Sequence, residues 1–339
     1  MNKKAICLVC VLAIACSAVG LYLYGGRETV LVGEKEVMGT NACVVVVTNQ
    51  RDREKAEVAI EDSFNEMERV NNLFSWYDPT SPLSILNREG EVKRSYLDDN
   101  REKYGETGWE EFTWILERSR KIHKLTGGAF DVTVKPILEL YYEYRGDPEH
   151  PTQEMIDDTL RYVNVTGVKI TDEKIGIGDG MKITLDGIAK GYGVDRASEV
   201  LTRRGFVNHS VEIGGEVRCS GLFKGEKWEV EVTDPSDPDS VYGTLKISGL
   251  SVATSGQYYQ WHIIDPTTGS YVEGDGSVTI VGENCTCCDA LATALFVLAF
   301  DEGADAAIDI LEDFSGYECL IIIPDVKDIA SPGFGEITN

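Results

Sequence analysis

The stretch Thr244-Leu245-Lys246-Ile247-Ser248-Gly249-Leu250-Ser251-Val252-Ala253-Thr254 holds two short apolar-rich runs split by Ser-Gly. Runs of about four residues broken by turn formers read as strands joined by a tight turn. The pattern continues on both sides, at 182–185, 211–213, 228–232, 262–264 and 277–281, with Gly, Asp and Pro between the runs. One helix, near 193–204, interrupts it. Upstream the character is different. From Arg53 onward, Ala56, Ile60, Phe64, Met67, Val70 and Phe74 recur at helical spacing and build one apolar face. A second helix spans 109–125 and stops at Gly127-Gly128. Pro136 opens a third, through Tyr144, and Thr152 is placed to cap a fourth over 153–163. Among these helices the one early strand is the valine run 44–47, which reads as buried. Beyond the strands come helices at 290–300 and 304–311, then a strand at 320–323. Helices bunched early and strands bunched late predict an α+β fold with mostly antiparallel strands and flanking helices. No repeat or low-complexity linker divides it, so residues 27–339 form one compact domain.

The chain has 339 residues, 42% apolar, 26% charged and 9% aromatic, which suits a globular protein and disfavours disorder or coiled coil. Its 32 Lys+Arg against 57 Asp+Glu give a net charge of −25. Such a protein gains nothing from releasing phosphate counterions, so nucleic-acid binding is a poor hypothesis. Any anionic ligand must instead be met locally, by a metal ion, backbone N–H groups or a placed lysine.

Residues 1–26 are read as a targeting segment. Lys3-Lys4 precede an apolar run from Ala5 to Tyr24, about the ~20 residues a bilayer needs. An uncleaved anchor is preferred to lipidation at Cys16, although Ala13-Ile14-Ala15-Cys16 resembles a lipoprotein box. Either way the domain lies on the extracytoplasmic side of the cell membrane. Of nine cysteines, Cys7, Cys10 and Cys16 belong to this segment. Cys285-Thr286-Cys287-Cys288 has no second ligand pair at matching spacing, so small apolar residues or an unassigned redox pair are preferred to zinc.

There is no G-x-G-x-x-G after a strand and no G-x-x-x-x-G-K, so ordinary dinucleotide or P-loop binding is not supported. Five other constellations could carry chemistry, one of them the run 251–256, which ends a strand with hydroxyls and a glycine. Residues 126–133 set two glycines beside Asp131 and Thr133; a helix C-cap and turn is the plain alternative. Residues 184–192 join a strand to a helix, where backbone N–H groups and Lys190 could receive a phosphate. His262 opens a run ending in Asp265-Pro266 and is a candidate acid–base group or a structural histidine. Asp289 and Thr293, four apart, share a helix face and offer hard oxygens suited to Mg²⁺. Equally, Asp289 could be an N-cap, and Thr293 could bond back to residue i−4.

In this order the segments resemble the ApbE family of FAD:protein FMN transferases. The resemblance rests on Met38-Gly39-Thr40, Phe74-Ser75-Trp76-Tyr77-Asp78 with Ser84 and Leu86-Asn87, and TGGAFDVTV at 126–134. It continues through DGIAKGYGVD at 186–195, Glu212-Ile213-Gly214-Gly215-Glu216, residues 253–256, 262–269 and 289–294. It implies an extracytoplasmic, Mg²⁺-dependent enzyme that splits FAD, places FMN on a threonine of an acceptor protein and releases AMP. It implies that Met38, Tyr77, Ala129, Phe130, Asp131, Thr184 and Lys190 contact FAD. Gly187 (through its carbonyl), Asp289 and Thr293 would bind the metal, and His262 would be the general base. Asp often stands in the family where Thr184 does, and the link from Tyr258 to His262 is short. The implied acceptors are subunits of membrane electron-transfer complexes of the Rnf or sodium-pumping NADH:quinone reductase kind. An FAD pyrophosphatase and a non-catalytic flavin-binding lipoprotein are the rival readings.

Overall fold

Val44 and Val46 point to one side of their strand and Val45 and Val47 to the other, and all four are buried because the sheet is covered on both faces. The computed structural model describes residues 28–337 apart from 148–149, 258–261, 325 and 327. Eight strands form the central sheet: β1 (Glu28–Val37), β2 (Thr40–Asn49), β3 (His209–Ile213), β4 (Glu216–Ser220), β5 (Leu250–Gly256), β6 (Ser277–Gly282), β7 (Glu318–Ile322) and β8 (Ile329–Ala330). They lie side by side in chain order, and every neighbouring pair is antiparallel. Strands adjacent in the sheet are thus successive sheet strands along the chain, even where helices and the long insertions intervene.

Helices α1 (Arg53–Phe74), α2 (Gly108–Leu125), α3 (Ala189–Arg203) and α4 (Cys285–Asp301) are the main helical elements. On the helical side of the sheet, Val44, Val46, Val211 and Ile213 meet apolar residues of α1 and α3. Val278, Ile280 and Ile321 meet α4 and the wider helical core. The opposite face is closed by a hairpin of Trp228–Asp234 with Asp237–Ile247. Its Trp228, Val230 and Leu245 pack on Val45, Val47 and Val217. The apolar alternation in these strands therefore serves two cores, one on each side.

α4 is buried along nearly its whole length and apolar all round, as a central helix must be. Its first N–H groups are capped twice. Asn284 accepts from Cys287 N–H at 3.0 Å. Asp195, reaching across from α3, accepts from the N–H groups of Cys285 and Thr286 at 2.9 Å each. α4 therefore begins five residues earlier than the expected 290–300. Cys287 and Cys288 lie in the core around α4 and Cys285 in the neighbouring one, as small apolar residues do. Burial pushes the thiols of Cys285 and Cys288 well above the usual range, so they are poor nucleophiles.

Two expected strands are absent. At 182–185 the Asn87 side chain takes both backbone groups of Ile183, donating to its C=O at 2.8 Å and accepting from its N–H at 2.7 Å. An amide has replaced the neighbouring strand. At 262–264 only an isolated bridge from Ile264 to Tyr271 forms, because the segment turns at once: Asp265 Oδ1 accepts from Thr267 N–H at 2.8 Å. Thr152 does cap its helix, which ends at Leu160. The targeting segment and the 258–261 link lie outside the described residues. No helix among the described residues is long and apolar enough to cross a membrane.

Candidate active site

α3 and α4 meet at their N-terminal turns because residue 191 is glycine. A Cβ there would collide with the Cys285 carbonyl and lie 2.8 Å from the Asp289 Cβ. The close approach lets Gly191 N–H donate to Asp289 Oδ2 at 2.9 Å. Asp289 is thus not the cap of its own helix; Asn284 is. Its carboxylate is buried and aimed across to α3. One turn on, the Thr293 hydroxyl is 3.2 Å from that of Ser255 on β5 and 3.4 Å from the Asp289 carbonyl. The back-bond expected of a helical threonine is present but long.

These groups line a cleft of about 420 Å³. Into it the fold also brings Ala129, Phe130 and Asp131 from one loop, Thr184 and Gly187 from another, Lys190 from the first turn of α3, and His262 from a third loop. Each loop is fixed from behind. Asp131 Oδ1 accepts from the N–H of Thr133 at 2.7 Å and its hydroxyl at 2.5 Å, while Oδ2 takes Val165 N–H at 3.1 Å. His123 Nδ1 lies 3.2 Å from Oδ2. Burial alone would raise the Asp131 pKa, but these donors outweigh it and hold the carboxyl below its ordinary value. Asp131 lines the cleft as the residue that shapes its loop. Thr184 N–H donates to Val132 C=O at 2.8 Å, tying the second loop to the first. His262 is held by its N–H to Gln257 Oε1 at 2.9 Å, and its side chain is exposed.

Met38 and Tyr77 are not in the wall. Met38 sits in the left-handed turn between β1 and β2, at φ 54°, and packs against α3 at Gly193. That turn adjoins the cleft through Gly214 N–H to Asn41 C=O at 3.0 Å. Tyr77 stands at the rim, 76% exposed, where burial and then the Asp186 carboxylate raise its pKa.

Glu216, to which sequence reasoning assigns no role, lies at the centre of the site. Its Oε1 pairs with Lys190 Nζ, while its buried Oε2 has no hydrogen-bond partner among the described residues. Burial pushes Glu216 up to about 7, with Lys190 opposing and Asp289 adding to the shift. Burial likewise raises Asp289, against Lys190 and the Gly191 N–H. For Lys190 burial favours the neutral amine, but Glu216 and Asp289 outweigh it and keep the ammonium. A signal was available: Glu216 directly follows a Gly214-Gly215 turn and opens a strand. Ser255 belongs to the hydroxyl-rich end of the 251–256 run, and the structure sets it beside Thr293.

A larger depression, about 800 Å³, runs between α2 and α3 and holds none of the expected site residues. Much of its charge is internally paired, Arg196 with Glu199 at 2.6 Å and Arg218 with Asp195 at 3.7 Å.

The antiparallel α+β domain is shared with proteins of known family. The ApbE family model matches residues 38–321, and the chain belongs to that family. A FAD:protein FMN transferase of Vibrio cholerae is 31% identical over 257 residues, covering 71% of this chain and 73% of the relative. One of Haemophilus influenzae is 27% identical over 283 residues, covering 78% and 77%. Among solved structures, the ApbE protein of Thermotoga maritima superposes with a TM-score of 0.76 at 30% identity, covering 92% of this chain and 100% of that one. The flavin transferase ApbE of Vibrio cholerae gives 0.75 at 25% identity, with 92% and 100% covered.

Proposed function

We propose that this chain is a membrane-tethered, Mg²⁺-dependent enzyme that moves the FMN half of FAD onto a threonine hydroxyl of an acceptor protein and releases AMP. The observation that carries the reading is a charge imbalance. Two buried carboxylates, Asp289 and Glu216, face one ammonium, Lys190, in a protein of net charge −25. A pyrophosphate cannot enter such a cleft without a further cation. Family membership, and relatives named as FAD:protein FMN transferases, supply the substrate.

The residues present fit Mg²⁺. One carboxylate (Asp289), one hydroxyl (Thr293) and one carbonyl (Gly187) are hard donors that leave positions for water and substrate phosphate. Gly187 keeps the space open, since a Cβ there would lie 3.2 Å from Thr293 Oγ1. When bound, Mg²⁺ supplies positive charge at the pyrophosphate and on the departing AMP. The protein does the rest. Ala129, Phe130 and Thr184 bound the flavin side, and Tyr77 offers an open ring at the rim. His262 takes the proton from the threonine Oγ as that oxygen bonds to the flavin-side phosphorus. The bond from that phosphorus to the bridging oxygen breaks, and AMP leaves with the electron pair. Lys190 keeps Glu216 neutralised, so that Asp289 is free to hold the metal.

Lys3-Lys4 and the apolar run to Tyr24 support a tether that leaves the domain outside the cytoplasm. The family resemblance supports acceptors among membrane electron-transfer subunits of the Rnf or sodium-pumping NADH:quinone reductase type. The test is to incubate the protein with FAD, Mg²⁺ and a threonine-bearing acceptor domain, then weigh the acceptor. It should gain the mass of FMN less one water, with one AMP released per adduct. Free FMN and AMP beside an unmodified acceptor would make the protein a pyrophosphatase instead.

A further inference from the structure

Trp76 has no face left for a ligand. Tyr77 stacks on it with centroids 3.7 Å apart and planes at 27°. Lys135 Nζ lies 3.4 Å from the Trp76 centroid. Two groups that close cannot share one side of a ring, so they sandwich it. Lys135 is itself buried and held by Glu139 Oε1 at 3.3 Å. The edge of Trp76 is also committed, since its indole N–H donates to both oxygens of Asp186, at 3.2 and 3.1 Å. The indole is fixed on three sides, while its stacking partner Tyr77 keeps an open outer face.

Asp186 directly precedes Gly187 in the loop that borders the cleft. That loop is tied internally by Asp186 N–H to Thr184 Oγ1 at 3.3 Å. The Trp76–Asp186 bond is therefore a bridge between the aromatic pair at the rim and the carbonyl assigned to the metal. It spans 110 residues of sequence.

We propose that Trp76 is a positioning residue that couples the flavin platform, Tyr77, to the metal-binding loop through Asp186. This rests on the reading of Tyr77 as a flavin contact and Gly187 as a metal ligand. An ion at Gly187 and Asp289 orders the 184–187 loop, which fixes Asp186, which holds the indole and so the Tyr77 ring. A flavin then meets a platform already ordered and loses less conformational freedom on binding. Couplings of this kind typically change affinity by roughly 5-fold or more.

The probe is riboflavin, which carries the ring but no phosphate, so the metal cannot touch it through a pyrophosphate. Its affinity for the whole protein is measured with Mg²⁺ and with chelator. In the unaltered protein Mg²⁺ should tighten riboflavin by about 5-fold. In Trp76→Phe, which keeps a ring to stack on but has no N–H, the ratio should fall to about one. Asp186→Asn, which keeps an acceptor for the indole, should retain part of it. An equal affinity with and without Mg²⁺ in the unaltered protein overturns the proposal, and so does a ratio that survives Trp76→Phe. A Tyr77→Ala protein that binds riboflavin as before, or no saturable binding at all, overturns the reading of the platform itself.

Discussion

Two clusters of buried charge lie on either side of α3, and they are built to opposite rules. In the outer one, between α1, α2 and α3, every group is matched. Arg69 meets Glu66 at 2.8 Å, Glu111 at 2.7 Å and the Tyr104 carbonyl at 2.7 Å. Arg196 meets Glu66 at 3.3 Å, and Tyr192 donates to Glu111 at 2.9 Å. Burial works to raise the Glu66 pKa, but Arg69 and Arg196 outweigh it and hold the carboxyl below its ordinary value. In the inner cluster two carboxylates share one lysine, one oxygen is orphaned, and both carboxyls are pushed up by burial. A matched network holds helices together. An unmatched one is held in place by the fold around it and, in the function proposed above, would take a cation. Burial of charge alone does not mark a site; the deficit does.

The comparison can be broken most sharply at the reacting edge of the inner cluster. His262→Ala should slow transfer by roughly 10²–10⁴-fold, the usual worth of a positioned base, with FAD still bound. Acceptor mass over time measures it, and an undiminished rate would hand the proton to another group. The outer cluster should answer in stability alone. Arg69→Met leaves Glu66 with Arg196 alone and takes from buried Glu111 its ion pair, and should cost about 3–5 kcal/mol in denaturant unfolding. Transfer per folded molecule should stay normal. If Arg69→Met instead left stability intact and abolished transfer, the division of labour between the clusters would be reversed.

Much of this was legible in the sequence where local rules dominate. The apolar face of α1, the cap at Thr152 and the doubly buried valine run all appear as read. What was hidden depends on partners distant in the chain. The run at 182–185 is no strand because Asn87 takes its backbone, and α4 starts early because Asp195 caps it. The site shows the same split. Most of the expected residues gather in one cleft, since motif order carries them there. Glu216 was passed over because a carboxylate looks ordinary in an acidic chain until its burial and unmatched oxygen are seen. Tyr77 and Met38 were named without their setting. The Trp76 sandwich that orients Tyr77, and the left-handed turn that tucks Met38 against α3, are tertiary facts.

Asp289 is proposed to hold a metal in this cleft, and one titration tests that reading. Asp289→Asn keeps an oxygen to accept the Gly191 N–H and leaves the cap to Asn284, so the fold should persist. It removes the negative charge that holds a hard cation. Acceptor mass gain is followed across a Mg²⁺ series for the unaltered protein and the variant. Chelation should stop transfer by the unaltered protein. Asp289→Asn should need at least ~10-fold more Mg²⁺ and transfer FMN more slowly even then. An Asp289→Asn protein with an ordinary rate at an ordinary Mg²⁺ concentration, or an unaltered protein indifferent to chelator, would contradict that reading.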